Sequence, residues 1–190
     1  MQLLLDRSSA HTLIAFGGET LTLDGRDDAW VARLRDFLAG RRPDALAVGL
    51  GPGSFAGIRA AIACLQGMGL AWGLEPRGFP SAALLALASG QPEVTVVGDA
   101  RRGTLWSVRY VVTPEAIRQE GGFHILDAAR FVPKAGMVSP DAERLARFGL
   151  RPVEARADLL AETVRRLGAA LTPDPLPIYL HPAVGAAHAE

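Results

Sequence analysis

The sequence predicts a two-lobed α/β protein, and three observations predict it. Each half opens with short alternating β segments joined by tight turns. Each half then passes into segments of helical periodicity, and the stretch Ser89-Gly90-Gln91-Pro92 reads as a linker between them. The first lobe is assigned residues 1–92 and the smaller second lobe residues 93–190, with the C-terminal helix expected to pack back on the first.

Taken in order, Gln2 to Asp6, Thr12 to Phe16 and Glu19 to Leu23 read as a β-meander, with Gly17-Gly18 supplying the positive φ angles of a tight hairpin. A helix is expected from about Asp28 to Ala39, since Trp30, Val31, Leu34, Phe37 and Leu38 recur at helical spacing and Asp27 or Asp28 can cap it. Asp44 to Gly49 is a mostly apolar strand of the kind buried on both faces. A second helix is expected over Gly57 to Trp72, a short strand over Glu75 to Phe79, and an apolar helix from a Ser81 cap through Ala88. In the second half, Val94 to Asp99 and Thr104 to Val112 are strands across the turn Arg101-Arg102-Gly103, with a third near Gly122 to Leu126. Helices are expected at about Asp141 to Arg147 and Ala155 to Leu171. Three antiparallel strands followed by crossovers, given twice, is the element order of the actin-like ATPase fold (ASKHA, ribonuclease H-like).

The 190 residues bury a core without staples, and with 49% hydrophobic and 21% charged residues the composition is that of a globular protein. Acids and bases balance at 20 each, which leaves little charge for gripping nucleic acid directly. The single cysteine, Cys64, lies in an apolar segment, so no intramolecular disulfide forms. The start MQLLLDRSSA lacks a signal-peptide pattern and no uncharged run is long enough for a bilayer span, so a cytoplasmic location is expected.

The chemistry-bearing segment is Gly51-Pro52-Gly53-Ser54-Phe55-Ala56-Gly57-Ile58-Arg59, which joins a buried strand to a helix. It reads either as an anion-receiving turn or as a tight connection whose glycines let the helix pack on the sheet. A P-loop is excluded because no lysine follows the glycines. A Rossmann fingerprint lacks its third glycine, and a nucleophile elbow fails because Pro52 precedes Gly53-Ser54. Ser54 is read as a helix cap.

The whole string resembles the GPGSFTGLR signature of the TsaB (YeaZ) family, with Ala56 and Ile58 as departures. The likeness extends to an opening strand ending in Asp6 with Ser8 and Ser9 behind it, to Pro80-Ser81, to Asp99-Ala100-Arg101-Arg102-Gly103, and to Pro177-Ile178-Tyr179-Leu180. Arg7 stands where the family carries threonine, and the middle of the second half is short for the family. The resemblance implies a non-catalytic subunit that needs no cofactor or metal and pairs with the transferase TsaD and the ATPase TsaE. That assembly places a threonylcarbamoyl group on adenosine 37 of tRNAs reading ANN codons, tRNA being met only through the complex. A homodimer of the isolated chain is a further possibility.

TsaD is recognised by a metal-binding His-x-x-x-His pair, and His11, His124, His181 and His188 are not so spaced. The resemblance implies that Asp6, Ser8 and Asp99 are candidates for a degenerate nucleotide site, and Asp99 is expected to brace its turn. The alternative reading is a free-standing small-molecule kinase or nucleotide-binding enzyme that uses the glycine loop and Asp6. The helix from Gly57 to Trp72 has only Arg59 and Gln66 as polar side chains, and Ala60, Ala63, Gly67 and Ala71 form a strip of small residues. A helix apolar nearly all round must be covered on more than one side. The strip either packs on the helix from Asp28 to Ala39 or, with Arg59, Gln66 and Leu70, receives a partner; the family pairs through helices of its first lobe.

Overall fold

The computed structural model describes residues 1–180 and holds two five-stranded sheets; His181 and His188 lie outside the described residues. The first contains β1 (Gln2–Asp6), β2 (His11–Phe16), β3 (Glu19–Asp24), β4 (Ala45–Gly49) and β5 (Arg77–Phe79), in the order β3-β2-β1-β4-β5. The second contains β6 (Glu93–Arg101), β7 (Thr104–Val112), β8 (Ile117–Asp127), β9 (Met137–Ser139) and β10 (Arg151–Pro152), in the order β8-β7-β6-β9-β10. The two orders are the same. In each, three antiparallel strands are extended by two parallel ones. The duplication absent at residue level is therefore present in the topology.

Four helices pack on these sheets: α1 (Trp30–Leu38), α2 (Phe55–Trp72), α3 (Ser81–Ala88) and α4 (Leu160–Leu167). The Gly17-Gly18 hairpin has φ of 60° and 87°, the paired positive angles of a two-residue turn. Asp27 supports the start of α1 from outside the helix, its Oδ1 accepting the N–H of Ala29 at 2.8 Å. Of the residues expected on its inner face, Trp30, Leu34 and Leu38 are buried while Val31 is half exposed.

The second lobe departs from expectation where helices were read. Residues 141–147 form turns leading into a 3₁₀ turn, Ala146–Phe148, instead of an α-helix. Pro140 and Gly149 leave too few residues between them to offset the cost of nucleation. Their polar groups are instead anchored on the tip of β6, where Asp141 Oδ2 accepts the N–H of Asp99 at 3.0 Å. The stretch Ala155 to Leu171 is also broken, into 3₁₀ turns on either side of α4, with Gly168 at φ 51° ending the helix. The strands β9 and β10 have three and two residues, too short to show a period. The third strand runs the full length of β8, with a bulge opposite Ser107 and Arg109. Two crossover helices of the first lobe thus have no counterpart between β8 and β10.

One face of the first sheet buries Leu3, Leu5, Ile14, Phe16, Leu46 and Val48 under α1 and α2. The opposite face, with Leu4, Leu13, Ala15 and Phe79, shares a continuous core with Val94, Val96, Trp106, Val108 and Tyr110 of the second sheet. α3 lies between the two sheets and is buried along Ser81 to Ala86, as a helix apolar on every side requires. α4 joins the same core through Leu160, Val164 and Leu167, and it contacts β2 of the first lobe.

By length and composition α2 has the character of a membrane span, 18 residues of mean hydropathy 1.3, contrary to the expectation that no segment reaches it. Its Ile58, Ala61, Ile62 and Leu65 are nevertheless locked in the core beneath the first sheet. A bilayer crossing would tear that core open.

Because Leu160 is fully buried where α4 meets both lobes, Leu160→Ala is expected to lower the unfolding free energy by about 2–5 kcal/mol in urea denaturation. An unchanged midpoint would place α4 outside the shared core.

Candidate functional site

β1 ends by delivering Asp6, fully buried, to the point where β4 turns into α2 and β5 turns into α3. Its Oδ1 accepts from the backbone N–H of Ser8 at 2.8 Å and from the Ser8 hydroxyl at 2.7 Å. Its Oδ2 accepts from the hydroxyl of Ser81. Ser81 in turn accepts the N–H of Gly51 at 3.0 Å. The serine read as a helix cap is thus a buried bridge between a carboxylate and the signature loop, and Pro80 occupies the cap position.

The signature loop is packed against the β1–β2 turn and carries the glycines for that reason. A Cβ at Gly49 would lie 1.9 Å from Asp6 Oδ2, one at Gly53 2.0 Å from the carbonyl oxygen of Ser8, and one at Gly57 2.3 Å from that of Arg7. The Gly51–Pro52 peptide is cis. The N–H of Ser54 donates to the Ser8 carbonyl at 2.7 Å, while its hydroxyl accepts the N–H of Gly57 and caps α2 as expected. Of the two readings of the loop, the geometry is that of the tight connection.

Asp99 braces its own turn, 17% exposed, with Oδ1 accepting the N–H of Arg101 at 2.8 Å and Oδ2 facing the guanidinium groups of Arg101 and Arg144. Arg7 lies buried over the Trp30 ring at 4.3 Å, donating to the carbonyl of Gly25. Burial lowers its pKa, against the opposing fields of Asp27 and Asp28. Burial also pushes the Cys64 thiol up, which removes it as a ready nucleophile. Among the described residues no group of three His, Cys, Asp or Glu side chains could hold a metal ion.

Along α2 the residues proposed from sequence fall on one uncovered face. Arg59, Ala63, Gln66, Gly67 and Leu70 are exposed, Leu70 at 89%, and Ala60 is half-buried. The strip does not pack on α1, and a side chain added at Gly67 would meet nothing within 4 Å. Gly69, by contrast, is buried where the chain turns back, its Cα facing the carbonyl of Leu74. At the head of the strip, half-exposed Phe55 meets the Tyr179 ring in a tilted contact at 6.0 Å between centroids, and the Arg59 guanidinium lies 5.1 Å over the Phe55 ring. No local pattern in the sequence pairs Phe55 with Tyr179; the only hint is that both stand in motifs with polar or small neighbours.

Two sheets of one topology around a shared core, with a loop packed between the first strand and its neighbours, define a two-lobed protein of the actin-like (ASKHA) class. The family model described as TsaD, tRNA N6-adenosine threonylcarbamoyltransferase, matches residues 38–164. Uncharacterized proteins of Mycobacterium bovis and Mycobacterium tuberculosis are 34% identical over 181 residues, covering 90% of this chain and 82% of theirs. YeaZ from Pseudomonas aeruginosa superposes with a TM-score of 0.74 at 23% identity, covering 94% of this chain and 99% of its own. A second structure, titled an uncharacterized protein with similarity to peptidase YeaZ from Pseudomonas aeruginosa, gives a TM-score of 0.72 at 26% identity, covering 95% and 99%. The chain belongs to the TsaD-type family and, within it, to the YeaZ (TsaB) proteins.

Ser81→Ala would leave Asp6 Oδ2 and the Gly51 N–H unpaired, at an expected cost of about 1–3 kcal/mol per buried group. Ser8→Ala, at a turn that water reaches, is expected to cost less. Thermal denaturation of both variants checks this, and equal losses would remove the Asp6–Ser81 contact as the pin of the site.

Proposed function

We propose that this chain is a non-catalytic subunit that acts by binding in the cytoplasm, its α2 face covered by a TsaD-type transferase, with the ATPase TsaE joining the pair. The reading places it in the modification of adenosine 37 to threonylcarbamoyladenosine in tRNAs reading ANN codons. The observation that carries it is the uncovered apolar face of α2, an 18-residue helix with Leu70 and Phe55 in solvent and small residues between them. Small side chains at Ala63, Gly67 and Ala71 let a second helix approach closely, and Arg59 and Gln66 give it polar register points. The isolated chain would pair with a second copy through the same face. The tRNA is reached through the partner, in keeping with a formal charge of zero on this subunit.

Binding is favoured over catalysis because the acids a nucleotide site would use are already engaged. ATP entering at Asp6 would have to displace the Ser8 and Ser81 hydroxyls and part Gly53 and Gly57 from the β1–β2 turn. The peptidase reading in one neighbour's title finds no support in Ser54, whose hydroxyl is occupied as a cap.

Calorimetric titration of the isolated chain with ATP is therefore expected to give no saturable heat. Saturable micromolar binding would favour a nucleotide-using enzyme instead.

The docking face is tested by Ala63→Glu and Gly67→Leu, both at open positions that keep the fold. Burying an unpaired carboxylate at residue 63 is expected to weaken capture by a purified TsaD homologue about 100-fold or more. Gly67→Leu is expected to block the same approach sterically while gaining roughly 1 kcal/mol of helix propensity, so its thermal midpoint rises as its binding falls. Folded variants that bind TsaD with unchanged affinity would move the interface off α2.

A further inference from the structure

A groove of about 400 Å³ opens where Pro80 of the first lobe meets the start of β8 and the end of α4. Its floor is apolar, with Pro80, Ile117 and Leu167, and three polar side chains rim it. Among the described residues the exposed guanidinium of Arg118 has no hydrogen bond or ion pair. Arg166 is held rigid, Nε donating to Glu162 at 2.6 Å and Nη1 to the carbonyl of Thr113 at 2.7 Å, which leaves Nη2 unengaged among the described residues. Gln119 is fixed between the carbonyl of Gly121 and the hydroxyl of Tyr110.

The groove lining itself carries two cations, Arg118 and Arg166, and no carboxylate. Arg165 and Arg166 share the single carboxylate of Glu162 and hold its pKa down to about 2, and Glu115 faces Arg165. Glu120, next on β8, shares Arg109 with Glu93. Arg118 thus remains uncompensated beside an apolar floor, the combination that fixes the orientation of a small ligand.

We propose that this groove binds a small amphipathic molecule with one anionic group, a carboxylate or phosphate on an apolar body. The anion sits between Arg118 and Arg166 Nη2, and the body lies on Pro80, Ile117 and Leu167. Since Pro80 belongs to the first lobe and the rest to the second, such a ligand touches both. The inference is independent of the α2 docking face.

Amide NMR of the full chain tests it, with phenyl phosphate, benzoate and neutral benzyl alcohol as probes. Saturable shifts confined to the neighbourhood of Ile117, Gln119 and Leu167 are expected for one or both anions, and the relative affinities decide between phosphate and carboxylate. Benzyl alcohol is expected to bind about tenfold more weakly, and Arg118→Glu, at an exposed position, to weaken the anions by about tenfold or more. No saturation in the millimolar range, shifts mapping to α2, or affinities unchanged in Arg118→Glu would each overturn the proposal.

Discussion

The carboxylate of Asp6 lies fully buried at the end of β1, and three donors converge on it. A buried carboxylate left unpaired would be costly, so the surrounding backbone is committed to wherever those donors stand. Ser81 carries the constraint to α3, the helix between the two sheets, and through Gly51 to the loop that launches α2. The direction of the exposed helix and the position of the helix at the heart of the shared core are thus referred to one side chain. Its hydrogen-bonding capacity is spent inside the protein.

The uncovered face of α2 follows from a mismatch between composition and geometry. A helix has one side to offer its own sheet, and α2 fills that side with Ile58, Ala61, Ile62 and Leu65. The remaining apolar surface is more than solubility alone would select, and its small residues keep it flat. Flatness combined with Gly67 in the helix interior is a local loss of helix stability that the isolated chain leaves uncompensated.

Much of the architecture is legible in the sequence because it is written at short range. The Gly17-Gly18 hairpin, the short apolar runs of β1 and β2, and the small-residue stripe of α2 are local patterns, and the structure carries each of them. What is not legible is set by partners distant in the chain. Ser81 looks like a cap because Pro80-Ser81 opens an apolar helix, yet its hydroxyl is claimed by a residue 75 positions away. The residues 141–147 have helical spacing, but Asp141 and Arg144 are drawn to Asp99 on a neighbouring strand, and the helix does not form. Strands as short as β9 and β10 have no period to read, and only pairing, β9 with β6 and β10 with β9, makes them strands. At the site, the loop glycines were legible as requirements for close approach, whereas what approaches them, the carbonyls of Arg7 and Ser8, was not.

The last described residues return to the first lobe. Thr172 pairs with Gly78 and continues the sheet beyond β5, the N–H of Ile178 donates to the carbonyl of Leu50, and Tyr179 meets Phe55 at the head of α2. On a ribosome these residues emerge after everything they complete. Until they arrive, β5 is an open sheet edge and the head of α2 lacks its aromatic neighbour, so a nascent or prematurely terminated chain presents an unfinished surface.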